Sequence, residues 1–300
     1  MQDEPAGVTT ASLTAALAGG WGIRAPTLRY LPVGAGGYHW EADGRWFLTV
    51  TDAAFAPLER ALRTALSLHL PFVVAPIPAR NGSPLRPLAR PFNLAVFPLV
   101  DGVAGEFGPH PPADRPAVID MLAALHRAPA GAAPPPELRL AGRASLAAGR
   151  ASLAAGRAWA GGPYAAAARR LLREHASLIA SRLAELDRLG RIIADAPTVV
   201  THGEPHPGNI LRTPDGPRLI DWDTVRLAPP ERDLWFADDS ASLARYAAAT
   251  GHTPRPEALA FYRLMWNLAD IAAYAAALRR PHAEGGDAEA ALRYLRANLA

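Results

Sequence analysis

Glu204, Asn209 and Asp221 are the residues whose types and spacing can do chemistry together. They stand in Thr201-His202-Gly203-Glu204-Pro205-His206-Pro207-Gly208-Asn209 and in Leu219-Ile220-Asp221-Trp222-Asp223. A carboxylate can orient an attacking hydroxyl and accept its proton. An amide oxygen five residues later and a second carboxylate at a strand end can hold magnesium against nucleotide phosphates. Transfer of a γ-phosphoryl group needs little covalent help, so positioning and charge neutralisation are most of the task. Magnesium takes one or two protein carboxylates beside phosphate oxygens and water. The order therefore reads as a phosphoryl-transfer centre, with Glu204, Asn209 and Asp221 catalytic and Asn209 and Asp221 as metal ligands.

These side chains need a loop held between strands, and the flanking sequence supplies one. Pro197 to Thr201 and Pro217 to Ile220 are short apolar runs, while Pro205, Pro207 and Gly208 exclude a helix between them. Ile210-Leu211-Arg212 reads as a further strand and Thr213-Pro214-Asp215-Gly216 as a hairpin turn, which sets the two catalytic segments side by side. Upstream, Leu28 to Val33, Tyr38 to Glu41 and Arg45 to Val50 read as three strands, the first two joined by Gly34-Ala35-Gly36-Gly37. Glycines let backbone amides approach phosphate oxygens with no Cβ in the way. Gly34, Gly36 and Gly37 are thus candidate cofactor-binding positions.

The remaining elements follow from periodicity and punctuation. Helices are expected over Thr10 to Ala18, Ala56 to Leu68, Asp114 to Leu125 and Tyr164 to Leu189. Phe72-Val73-Val74 and Asn93 to Phe97 are expected to complete a five-stranded sheet, with Asn81-Gly82 turning between them. Pro129 to Pro136 reads as a linker. Gly142-Arg143-Ala144-Ser145-Leu146-Ala147-Ala148 recurs unchanged as Gly149 to Ala155, adding two helical turns, about 10 Å.

Composition narrows the class. The chain has 300 residues, half of them hydrophobic, and a formal net charge of +3, so it can bury a large core in one or two domains. Its 31 basic residues are all arginine. They are spread along the chain, which argues against a nucleic-acid partner. There is no cysteine, which excludes disulfides, thiolate zinc sites and thiol nucleophiles. The histidines show no zinc-ligand spacing beside a third ligand, which disfavours a metallohydrolase. An acidic Met1-Gln2-Asp3-Glu4 and no long apolar run point to a cytoplasmic protein with no membrane partner.

On these motifs the chain resembles the aminoglycoside phosphotransferase family, and within it the branch containing the spectinomycin phosphotransferases. Leu125-His126 and Ala228-Pro229-Pro230-Glu231-Arg232-Asp233-Leu234 extend the likeness. It implies an α+β, two-lobed protein-kinase-like fold with a five-stranded antiparallel sheet in a small N-lobe (1–98) and a larger, mainly helical C-lobe (99–300). It also implies ATP or GTP with Mg²⁺ as cofactors, and a hydroxyl of a small molecule such as an aminoglycoside or aminocyclitol as acceptor.

Two positions depart from the family pattern. Glu204 stands where the usual motif has Asp, and the extra methylene moves the carboxylate by on the order of an ångström. Thr49 stands where a third-strand Lys holds the phosphates. Arg45, by period-two alternation, and His39 in the preceding strand are the candidate replacements, and with Thr49 they complete the cofactor-binding set. His202 is expected to brace the loop, and Asp233 to be structural. For the substrate, Asp239, Trp266 and Asp270 are candidates for an acidic pocket suited to an amine. The alternative is a kinase-like small-molecule or nucleotide-binding protein without transfer activity.

Overall fold

The computed structural model describes residues 4–34, 36–154, 159 and 161–300. Ala35 of the glycine turn, Ala155 at the end of the repeat and the acidic Met1–Asp3 lie outside the described residues. The chain divides into two units, residues 1–136 with 197–254 and residues 137–196 with 255–300. Both the glycine turn and the Glu204 loop belong to the first, and the boundary expected after Pro98 falls inside it.

Helix α1 (Thr10–Trp21) begins where the Thr9 hydroxyl accepts from Ser12 N and the Ser12 hydroxyl caps Thr9 in return, and it stops at Gly22 with φ 72°. Its Leu13 and Leu17 pack onto the inner face of a five-stranded antiparallel sheet beside Trp40, Leu48, Val50 and Leu94. The sheet consists of β1 (Leu28–Leu31), β2 (Tyr38–Ala42), β3 (Trp46–Thr51), β4 (Leu85–Pro87) and β5 (Asn93–Pro98), ordered β1-β2-β3-β5-β4. Between β3 and β4 runs α2 (Phe55–Leu68), whose Leu58, Leu62, Ala65 and Leu68 are buried at helical spacing.

The fifth strand is not the one expected. Phe72 to Val74 lies between Pro71 and Pro76, and its backbone is spent elsewhere: Leu219 N donates to Phe72 O at 2.7 Å and Val74 N to Leu219 O at 3.0 Å. The short β4 takes the sheet edge instead, where Pro87 costs nothing because its missing N–H would face outward. The diverted segment ties the strand that leads into Asp221 to the sheet side of the unit.

After β5 come β6 (Val103–Ala104) and α3 (Arg115–His126). The chain then enters the second unit with α4 (Arg143–Ala154), α5 (Ala165–Glu174) and α6 (Ala176–Ile192). The helix expected over 164–189 is broken at His175, which has φ −102° and ψ 17° and a ring nitrogen 2.9 Å from Leu171 O. Back in the first unit, β7 (Val199–Thr201) precedes the Glu204 loop, β8 (Ile210–Thr213) and β9 (Gly216–Leu219) form the expected hairpin, and β10 (Arg226–Ala228) returns to pair with β7. Short α7 (Glu231–Leu234) and α8 (Ser240–Thr250) close that unit. The second unit is completed by α9 (Pro256–Arg279) and α10 (Gly286–Leu299). No helix among the described residues is long and apolar enough to cross a membrane.

Candidate active site

The Glu204 loop leaves β7 through His202 and Gly203 and turns once over Pro207–Asn209 before β8. Its first bend is fixed from below. Asp233, fully buried in α7, accepts from His202 N at 2.7 Å and from Gly203 N, and its other hydrogen bond is to His126 Nε2 at 3.0 Å. Burial alone would push the Asp233 carboxyl up, but the His126 hydrogen bond and the charge of Arg232 hold it below the usual range. Gly203 has φ 105°, and a Cβ there would collide with the Arg232 guanidinium. That guanidinium donates to Thr201 Oγ1 and to Thr224 O, both at 2.9 Å.

The far side of the loop is tied to the strand end. His202 Nε2 sits 2.8 Å from Ile220 O, and Ile220 N donates to Asn209 O at 3.0 Å, so one residue joins the loop's start and its end. His202 is fully buried, and burial lowers it to about 4, so it braces as a neutral ring. Trp222, also without exposure, donates from Nε1 to Leu219 O at 3.0 Å. Between these two anchored neighbours Asp221 takes φ 66°, an unfavourable conformation for a residue with a side chain, of the kind that over-determined surroundings hold at functional sites.

The donor set suits a magnesium ion. Asn209 Nδ2 donates to Glu204 O at 3.0 Å, which leaves Oδ1 as the end available to a cation. The surrounding protein pushes the Asp221 carboxyl well up, with Asp223 and Glu204 adding repulsion, and it raises Asp223 as well. Solvent still reaches both aspartates. Drying is therefore incomplete, and like-charge repulsion is the part a cation relieves. The described residues offer no cage of three or more histidines and carboxylates. Magnesium completed by phosphate oxygens and water does not need one.

On the sheet side, Gly34 and Gly36 adopt φ 69° and 82°. Thr49 on β3 faces His39 on β2 directly, Oγ1 to Nδ1 at 3.3 Å. Arg45 is placed differently from the alternation argument. β3 starts at Trp46, because Asp43 and Gly44 turn with φ 56° and 64°, so Arg45 lies exposed in the β2–β3 turn with its guanidinium 5.1 Å above the Trp46 ring. That turn closes the opposite end of the hairpin from the glycines, about 13 Å along the strand from Thr49. Glu59 of α2 accepts from Ser83 Oγ at 2.7 Å and from Arg63 at 2.9 Å.

Of the candidate substrate residues, Asp239 lies in the first unit. Its carboxylate caps α8, accepting from Ser242 N at 2.7 Å and Ser242 Oγ at 2.8 Å, and pairs with Arg115 at 2.9 Å. Little of its charge is left for an incoming amine. Trp266 and Asp270 are half-buried one turn apart on α9 in the second unit, and burial raises Asp270 to about 6. Sequence reasoning missed that Asp233 and His126 together carry the loop. The signal available was the run Glu231-Arg232-Asp233, charged residues between Pro229-Pro230 and Leu234.

The strained Asp221 and the loop bound to it through Ile220, on an α+β kinase-like frame, define a class: enzymes that move a phosphoryl group to a hydroxyl of a small molecule. The APH phosphotransferase enzyme family matches residues 38–274, and the chain belongs to that family. Protein StrN of Streptomyces griseus is 31% identical over 285 residues, 88% of this chain and 84% of StrN. The crystal structure of the spectinomycin phosphotransferase APH(9)-Ia with ADP and spectinomycin superposes with a TM-score of 0.76 at 16% identity, covering 97% of this chain and 94% of that one. Amicoumacin kinase hAmiN, in complex with AMP-PNP, Ca²⁺ and Ami, gives 0.59 at 14% identity over 97% and 93%. A microcompartment-associated aminopropanol kinase gives 0.63 at 17% over 97% and 95%. These likenesses bear on the fold.

Proposed function

We propose that this phosphotransferase uses magnesium with ATP or GTP and phosphorylates a hydroxyl of an amine-bearing small molecule, an aminocyclitol or aminoglycoside, as an antibiotic-modifying enzyme. The observation that carries the reading is the Asn209–Ile220–His202 linkage, which holds the Asn209 and Asp221 segments together beside the Glu204 loop. When bound, magnesium neutralises charge on the phosphoryl oxygens. Glu204 orients the acceptor hydroxyl and takes its proton, the Gly34–Gly37 amides meet the phosphates, and Asn209 and Asp221 hold the metal. The amine preference rests on the spectinomycin complex of the structural relative.

A binding and turnover panel tests this: ATP and GTP with magnesium, alone and with spectinomycin, aminoglycosides, aminopropanol and amicoumacin. The expected outcome is nucleotide stabilisation of about 2 to 3 kcal/mol at saturating ligand and phosphate transfer to an aminocyclitol or aminoglycoside. Absence of a shift with any nucleotide would instead favour a binding protein, and transfer only to simple amino alcohols would overturn the antibiotic assignment.

A further inference from the structure

We propose that His39 Nε2 is a hydrogen-bond donor to the nucleotide phosphates beneath the glycine turn, oriented for that role by Thr49. The proposal rests on the nucleotide-dependent reading above.

Four observations hold the ring in one pose. His39 and Thr49 are direct cross-strand partners, and the Thr49 hydroxyl meets Nδ1 at 3.3 Å. The imidazole stacks on Phe47, ring centroids 4.9 Å apart and planes 27° from parallel. A Cβ built on Gly34 would stand 3.3 Å from Nε2, and one on Gly37 would stand 3.3 Å from Cε1 and 3.4 Å from Nε2. The edge of the ring bearing Nε2 thus lies against the turn, at two positions where the chain carries no side chain. Gly34 and Gly36 both take positive φ, 69° and 82°.

Burial lowers His39 to about 4, so at neutral pH the ring is uncharged and carries one proton. The proposal sets that proton on Nε2, the nitrogen facing the turn, and makes Nδ1 the acceptor of the Thr49 hydroxyl. The chain has no lysine to offer there, and Arg45 is at the other end of the hairpin. A neutral N–H supplies direction without charge, and the charge must come from the cation at Asn209 and Asp221. Nucleotide binding in this protein is accordingly more dependent on the metal than binding through an ammonium ion would be.

The test separates the donor from the ring's shape. His39→Phe keeps a planar ring on Phe47 and removes the N–H, whereas His39→Gln restores a neutral donor at similar reach. Calorimetry with ATP plus magnesium, and with adenosine as a phosphate-free probe, should give an ATP affinity lowered about tenfold in His39→Phe, near-normal affinity in His39→Gln, and unchanged adenosine affinity in both. Should His39→Phe fail to fold, Thr49→Val, which removes the orienting hydroxyl at constant volume, should weaken ATP about threefold without affecting adenosine. Equal losses for ATP and adenosine would reduce His39 to a packing residue, and undiminished ATP affinity would overturn the proposal outright. A wild-type chain that binds neither ATP nor GTP would sink the nucleotide-dependent function itself.

Discussion

The loop around Glu204 and the turn around Gly34 both belong to the first unit, yet they are held in unlike ways. The loop is pinned by charged and polar groups from three other segments: Asp233 and Arg232 from α7, His126 from α3, and Thr224, whose hydroxyl donates to His202 O at 2.7 Å. Beside the turn, among the described residues, lies the His39 imidazole with its cross-strand partner Thr49. The comparison teaches that the Glu204 loop is built to resist change, whereas the glycine turn lies beside a neutral imidazole in a chain without lysine. Buried networks of the first kind are costly to alter because each member leaves others unsatisfied. A hairpin tip has few such obligations.

The sharpest way to break the comparison is at Asp221. Asp221→Ala should abolish magnesium-dependent nucleotide binding and turnover while the protein stays folded, since the strand end is anchored by Ile220 and Trp222 and not by the carboxylate. Calorimetry with and without magnesium checks this, and unchanged affinity would move the metal elsewhere. Glu204→Gln should lower kcat by about 10²-fold with nucleotide affinity nearly intact. Near-normal turnover in steady-state assays would mean that another group takes the proton.

At Asp233 the effect should appear first as stability. Asp233→Asn should cost about 3 kcal/mol in urea unfolding at neutral pH, as breaking a buried charged network does. The Asp233 carboxyl is held below its unfolded value, so its stabilisation is complete above about pH 4 and is lost as pH falls through the depressed value. The wild type should show that acid limb and the variant should lack it. A variant as stable as wild type at pH 7 would show that the loop is not braced from α7. The smallest effect belongs to Arg45→Ala, which should change ATP affinity by less than about twofold, because the guanidinium lies over Trp46 at the far end of the hairpin. A tenfold loss in the same titration would put a cation back on the phosphate side.

The loop was legible in the sequence because its information is local. Prolines and glycine exclude a helix longer than one short turn, and Asn209 Nδ2 reaches back to Glu204 O across five residues. What holds it was not legible, since Asp233 reaches partners 31 and 107 residues away. Arg45 was misplaced although its signal was present: Asp43-Gly44 is a hairpin dipeptide, and it ends the strand pattern one residue before Trp46. Leu85-Arg86-Pro87 concealed a strand because an edge position tolerates a proline and a single inward apolar residue. The break at His175 carries no glycine or proline, and its cause lies in the fold around it.

Both units are assembled from separated stretches of chain, and this sets an order of events during synthesis. When residue 192 at the end of α6 has emerged, the five strands of the sheet and α1 are already present, but α7 is not. The clasp between His126 and Asp233 must wait for 107 residues of intervening chain. His126 therefore spends part of each round of translation without its carboxylate partner. A chain that ends before residue 233 has every strand of the sheet and the Ile220 tie, yet lacks the carboxylate that accepts from His202 N and Gly203 N.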